Sequence, residues 1–378
     1  MHPMLKPALR RAWRGRSTVQ FGVTPAHAVT FGPLDIATGS FLELLDGTRG
    51  LPLLKEEARS LDLAERHVDV LVERLADAGL LDDPHAGGPQ AAALRRRADV
   101  LDRQRPDAAS LSVVHPEPGS AVRRLAARRA MRVQVRGAGR VGAAVAALLS
   151  GSGVGRVDVL DGGLTEPWDV APGGLPPSAV GERRDASARR LVRRSAAGAP
   201  PRATEAGTES GGPGLSLVVV APRDGLAAYA PDPGTAEPWI SSGTPHLYAG
   251  VIEATGVVGP LVLPGGTGCA GCLGLHRADQ DAQWPRMVAQ WRTGRRGAVP
   301  ACDLALSAAV AGLAAAHALS FLDGELPATT GARWEAALPL MEWRNERIAP
   351  HRACVCGAAR TTGALSPASG PAHDTMAG

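Results

Sequence analysis

Apolar and polar residues alternate along 18–34, TVQFGVTPAHAVTFGPL, with a break at Thr24-Pro25, and this period of two predicts a short β-hairpin. Beyond it the apolar spacing changes to that of helices. A first helix is expected over about 36–46, closed by Gly47, and a second opens with Pro52 in its first turn. A third has Asp62 as its N-cap and Glu65 three residues on, carries Val68, Leu71, Val72 and Leu75 on one face, and stops at Gly79. A hairpin with three short helices outlines a winged helix.

Residues 84–110 are rich in Pro, Gly and Arg and predict a connector with one helix over 91–103. Strands are expected at 111–115 and 131–136, on either side of an Arg-rich helix. The stretch 133–163, VQVRGAGRVGAAVAALLSGSGVGRVDVLDGG, then reads as strand, glycine turn, Ala-rich helix to about Ser150, strand 156–160 and a terminal acid, Asp161. A helix over 178–197, a loop at 198–214 and the apolar strand LSLVVVA at 215–221 continue a parallel βαβ order. Two antiparallel strands with a turn at Ala254 to Gly256 fill 245–263, and helices are expected at 279–293 and 303–322. The fold class is therefore α/β, a Rossmann-like sheet behind a small α+β winged helix. The expected divisions are a basic arm at 1–17, the winged helix at 18–84, the connector at 85–110, the α/β domain at 111–358 and a disordered tail at 359–378, whose polar, Gly- and Pro-rich end cannot bury enough apolar area to fold.

A chain of 378 residues with 44% hydrophobic content exceeds one ordinary domain, in keeping with this division. The formal charge is +4, and Lys6 and Lys55 are the only lysines among 41 Lys and Arg residues. That bias reads as codon usage in a GC-rich genome rather than as a phosphate-binding design. No apolar run follows the cations of residues 1–16, which excludes a secretory signal there. The apolar run 304–322 contains Ser307, His317 and Ser320, and suits a buried helix better than a membrane span. The expectation is a cytoplasmic protein with no membrane partner. The third N-terminal helix and its flank, 62–83, carry Asp62, Glu65, Asp69, Glu73, Asp77, Asp82 and Asp83 against two arginines, which would repel phosphates and speaks against nucleic acid. What remains for the winged helix is docking of a peptide strand on the hairpin edge, or plain packing without a ligand.

Two constellations carry chemistry. In the first, Gly137 permits a tight turn, Gly139 lets backbone approach a phosphate, and Gly142 lets the helix pack closely on the strand. Asp161 would accept hydrogen bonds from ribose hydroxyls, which suits NAD and ATP alike. In the second, Cys269-Ala-Gly-Cys272 and Cys354-Val-Cys356 are two close pairs whose four thiolates can close a structural zinc site. His276 and His351 lie near the pairs and read as bystanders. Cys302, beside Asp303, reads as a buried core thiol rather than a nucleophile.

The glycine turn, the acid-ended strand, the segment Gly259-Pro-Leu-Val-Leu-Pro-Gly-Gly266 leading into Cys-x-x-Cys, and the late cysteine pair resemble the ThiF/MoeB family of ubiquitin-activating-enzyme-like adenylyltransferases. With a winged helix in front, residues 18–358 are most similar to the ThiF-like leader-peptide-binding proteins of thiazole/oxazole-modified peptide biosynthesis, also described as bacteriocin cyclodehydratase domains. That resemblance implies binding of ATP and magnesium, attack of a C-terminal carboxylate on the α-phosphate, and a homodimer. Active members carry Asn-x-x-Arg-Gln after the ribose acid and Gly-x-x-Lys before the next helix. The matching stretches here are Asp169-Val170-Ala171-Pro172-Gly173 and Gly181-Glu182-Arg183-Arg184. Arg184 is then the remaining candidate for the phosphate cation, although its planar fork does not replace an ammonium group. Asp224, in Ala221-Pro222-Arg223-Asp224, matches the magnesium aspartate. With the other cations lost, the resemblance implies a degenerate ATP site in a protein that captures a peptide leader and presents it to a separate enzyme such as a YcaO-type cyclodehydratase. The alternative is an active adenylyltransferase acting on the C-terminus of a carrier protein or peptide. A winged-helix nucleotide sensor is a third reading.

Overall fold

The computed structural model describes residues 1–199, 214–294 and 299–362. The chain forms two compact units, one holding Met1–Ala130 with residues 196–199, the other Met131–Ser195 with the described residues from 214 on.

In the first unit the predicted hairpin is the inner part of a three-stranded antiparallel meander, Arg11–Trp13, Val19–Phe21 and Val29–Phe31. The residues read as a basic arm thus supply a strand. They supply a second as well, since Met4–Leu5 pairs antiparallel with Leu81–Asp82. Lys6 is buried, and its Nζ donates to the carbonyls of His115 and Pro116. Helices Ile36–Phe41, Leu51–Arg59 and Glu65–Asp77 follow. The third begins later than its sequence implies: Asp62 sits in the left-handed region at φ 56° and Ala64 is the N-cap. Its apolar face is as read, with Val68, Leu71, Val72 and Leu75 buried against Phe21, Phe31 and Phe41 in one core.

Residues 111–115, expected as a strand, lie at the end of helix Arg105–Val114. A run of β-branched and leucine residues fits either state, and here the partners are helices. Leu111 packs with Leu94, Val100 and Leu125 of the neighbouring helices Gly88–Arg95, Ala98–Arg103 and Ser120–Arg128.

The second unit is built on a mixed sheet of seven strands among the described residues. Their order is Arg344–Arg347, Ala332–Ala337, Thr255–Val262, His246–Ile252, Leu217–Val220, Arg132–Arg136, Arg156–Leu160. The last four in this order run parallel and the first three extend the sheet antiparallel. Leu217–Val220 is buried on both faces because alternate side chains enter different cores. Val219 meets helices Arg140–Gly151 and Leu304–Leu322, whereas Val218 and Val220 meet Trp239, Tyr248 and the cysteine helix Ala270–Gln280. Leu304–Leu322, the run long and apolar enough to cross a membrane, buries Leu306, Val310, Ala314 and Ala318 on this sheet. The hairpin between His246–Ile252 and Thr255–Val262 turns through Glu253 and Ala254, both at positive φ. The helix expected over 178–197 starts at Arg184, with Gly181 at φ 85° before it. Most of the loop expected at 198–214, and residues 363–378 of the expected tail, lie outside the described residues.

Candidate functional site

Three parallel strands deliver their carboxyl ends to one edge of the sheet, and the candidate nucleotide residues sit in the loops that leave them. Arg132–Arg136 runs into the glycine turn, Arg156–Leu160 into Asp161, and Leu217–Val220 into Arg223 and Asp224. The turn has no room for a side chain. A Cβ on Gly137, which adopts φ 112°, would lie 2.0 Å from the Ala221 carbonyl oxygen, and one on Gly142 would lie 2.2 Å from that of Gly137. A Cβ on Gly139 would lie 3.1 to 3.2 Å from Arg223.

Asp161 is engaged from within the protein. Its Oδ2 accepts from the Ala138 amide at 2.8 Å, and its Oδ1 accepts from the Gly163 amide at 2.9 Å and from Arg184 Nε at 3.0 Å. Arg184 Nη2 lies 2.8 Å from the same oxygen. Burial alone would raise this carboxyl, but the hydrogen bonds from Arg184 and the two amides hold it below its ordinary value. Arg184 also approaches Asp169 at 3.6 Å, and its Nη1 donates to the Leu164 carbonyl. Asp169 is 2% exposed and takes a second guanidinium, Arg223 Nε, at 2.6 Å. A partly buried chain of alternating charge, Asp161, Arg184, Asp169, Arg223, thus links the loops at the strand ends. The side chain of Asp224 is exposed, and its Oδ1 accepts from the Leu226 amide.

Two cations that the sequence reading passed over stand beside this chain. Arg140, the first residue of the helix after the turn, donates from Nε to the Trp168 carbonyl at 2.7 Å and from Nη1 to the Cys302 carbonyl at 2.8 Å. Arg223 lies 5.9 Å over the Trp168 ring. Together with Asp169, Pro300 and Cys302 they line a cavity of about 70 Å³. The signal was available, since both arginines fall within a few residues of a parallel strand's carboxyl end. It was missed because neither occupies a cation position of the family motif. Cys302, read as a core thiol, is half-buried on the cavity wall, and burial pushes its pKa up although Arg140 opposes the shift.

The second constellation assembles as its spacing implies. Cys269 Sγ lies 3.9 Å from Cys272 Sγ and 3.6 Å from Cys354 Sγ, and Cys272 Sγ lies 3.6 Å from Cys356 Sγ. A tetrahedron with metal–sulfur bonds of ~2.3 Å has edges of about 3.8 Å, so this thiol set can hold a metal ion. Cys269 caps helix Ala270–Gln280, whose free amides favour thiolate charge. Within the cluster the Cys269 thiol donates to Cys272 and holds the latter's pKa down at about 4, and the same bond and burial push Cys269 up. The His351 amide donates to Cys272 Sγ at 3.3 Å. The His351 ring bonds Asp279 through Nε2 and accepts the Ala353 amide at Nδ1, and His276 Nε2 bonds the Ala349 carbonyl. The histidines lie beside the cluster, not in it.

Comparison with known proteins agrees with this architecture. Residues 118–358 match the ThiF family. Among solved structures, E. coli MccB with ATP superposes with a TM-score of 0.67 at 15% identity, covering 94% of this chain and 99% of that one. The microcin C7 biosynthetic enzyme MccB in complex with N-formylated MccA gives 0.66 at 15%, covering 94% and 100%. PaaA gives 0.65 at 16%, covering 92% and 100%. No protein of curated function matches the sequence.

Proposed function

Because the chain belongs to the ThiF family, we propose that its sheet domain serves a peptide substrate which the N-terminal unit captures, and that its nucleotide site is degenerate. The likeness to MccB carries the first half: it spans 94% of this chain, well beyond the residues that match ThiF, and one of the matching structures holds the peptide MccA. Such a peptide would add as a strand to the meander. Of its two outer strands, Val29–Phe31 is backed by helix Glu65–Asp77, whose Arg74 lies 4.8 Å over Phe31 and donates to the Gly32 carbonyl. The acids of that helix favour a basic or polar segment. The four thiols hold zinc, which ties the C-terminal strand hairpin to helix Ala270–Gln280 and leaves no coordination position for substrate. The peptide is then presented to a separate modifying enzyme.

The second half rests on Asp161 and Arg184. A ribose needs the carboxylate that Arg184 and two amides already share, and ATP would have to displace a buried ion pair to reach it. The test is isothermal titration of the full chain with ATP-Mg and, separately, with candidate leader peptides. Peptide binding without ATP binding is expected, and Thr30→Pro, at the centre of the outer strand, should weaken the peptide about tenfold through the lost ladder bond. Binding unchanged by Thr30→Pro would remove the docking edge. ATP-pyrophosphate exchange with a peptide C-terminus would favour the second reading, adenylation, for which Arg140, Arg223 and Asp224 at the strand ends are the supporting observation.

A further inference from the structure

The cavity beside the glycine turn has more donors than acceptors. Two guanidiniums and one carboxylate line it, and that carboxylate, Asp169, is shared with Arg184 and with the Glu166 amide. Arg140 spends Nε and Nη1 on carbonyls and has no ion pair among the described residues, so its full positive charge stands at the cavity wall. Arg223 spends only Nε, and its Nη2 and the neighbouring Trp168 Nε1 are buried without an acceptor among the described residues. Buried donors in that condition each cost free energy comparable to a lost hydrogen bond, and an anion is the group that relieves them. The wall is otherwise low in polarity, formed by the Trp168 ring and Pro300, which strengthens the attraction of a guanidinium for a small anion. The N-terminus of the twelve-residue helix Arg140–Gly151 lies at the same place and adds its dipole.

We propose that this cavity is an oxyanion pocket, in which Arg140 and Arg223 hold a phosphate or carboxylate group directly, without the ribose contact that Asp161 would supply. The arginines take this role from positions where the family motif places no cation, on either side of the glycine turn. Two sources share the chemistry: a free phosphate-type anion, and the terminal carboxylate of a peptide. The inference does not depend on the docking edge of the N-terminal unit, since it concerns a small anion and the sheet domain alone.

The experiment titrates the full chain with inorganic phosphate and with acetate at low ionic strength. Phosphate should bind saturably, and Arg140→Gln and Arg223→Gln should each raise Kd about tenfold or more, the usual effect of losing a charge-assisted hydrogen bond. Arg344→Gln, which alters a side chain 82% exposed on the far edge strand, should leave it unchanged. Arg223→Gln also deprives buried Asp169 of a partner, so circular dichroism must show it folded; Arg223→Lys, which keeps the charge and loses the fork, should fall between. A second readout uses Cys302, which shares the wall: phosphate should slow its alkylation by iodoacetamide, followed by peptide mass mapping. Acetate displacing phosphate at similar concentration identifies a carboxylate as the natural occupant, and failure to displace identifies a phosphate-type anion. Absence of phosphate binding, binding untouched by both glutamine variants, or Cys302 labelling indifferent to phosphate overturns the pocket.

Discussion

The cysteine cluster and the glycine turn belong to one sheet domain, and each gathers residues far apart in sequence, yet they differ in what their ligand groups are free to do. The four thiols have mostly each other for partners, at separations a single ion would set. Asp161, the acid of the turn, has three internal donors, and Asp169 has two arginines. Soft ligands converging on one point have no other use in the fold, whereas a carboxylate among arginines is satisfied by the protein itself. A motif therefore reports which groups arrive, and the neighbours decide whether they stay available.

The comparison breaks most severely at the cysteines. Cys272→Ser should abolish binding of about one zinc per chain, measured by plasma mass spectrometry, and destabilise the domain by several kcal/mol, given the ~10 kcal/mol or more that structural zinc contributes in small metal domains. Retained zinc and an unchanged melting temperature would refute the assignment. On the other side, Gly137→Ala places a Cβ 2.0 Å from a backbone oxygen at positive φ, and urea unfolding should show a loss of roughly 4 kcal/mol from overpacking and backbone strain together. A loss under about 1 kcal/mol would mean the turn relaxes easily.

Arg184→Ala sharpens the contrast. It leaves Asp161 buried with two amides for partners, and removing one side of a buried pair costs about 3 kcal/mol. If the arginine closes the nucleotide site, the same variant should gain ATP affinity in calorimetry despite its lower stability; a variant that binds ATP no better than the parent shows that Asp161 is not the block. The smallest effect is in pH. The folded-state pKa of Asp161 lies below the ordinary carboxylate value near 3.8, so its stabilisation is complete above that value and is lost as pH falls through the lowered one. In Arg184→Ala the loss should begin at higher pH, seen as an acid unfolding midpoint shifted upward.

Periodicity made the elements legible where one partner surface was implied. The apolar face of Glu65–Asp77 could be read from its period of 3.6 residues, and Leu217–Val220 from a β-branched run placed in a βαβ order, where a strand buried on both faces is expected. Residues 111–115 were misread because a short apolar run carries no period of its own. The terminal strands Ala332–Ala337 and Arg344–Arg347 were missed because the alternation of the first, ARWEA, is short and rests on small alanines, and the second, RNER, carries no apolar residue. Arg333 is 1% exposed on the first of them, paired with Glu335 and Glu346, and no hydropathy pattern marks a buried arginine as a strand residue.

By itself the sequence determined the glycine turn, the parallel strands on either side of it and the four thiols, because steric exclusion at Gly137 and the spacing of soft ligands are local properties that survive any arrangement of the rest. Only the tertiary structure decided that Arg184 lies on Asp161, that Asp169 draws in a second arginine, and that Arg140 and Arg223 border a cavity. Charge pairing is not local: a guanidinium reaches many carboxylates within its length, and which one it meets depends on where three strands end relative to one another.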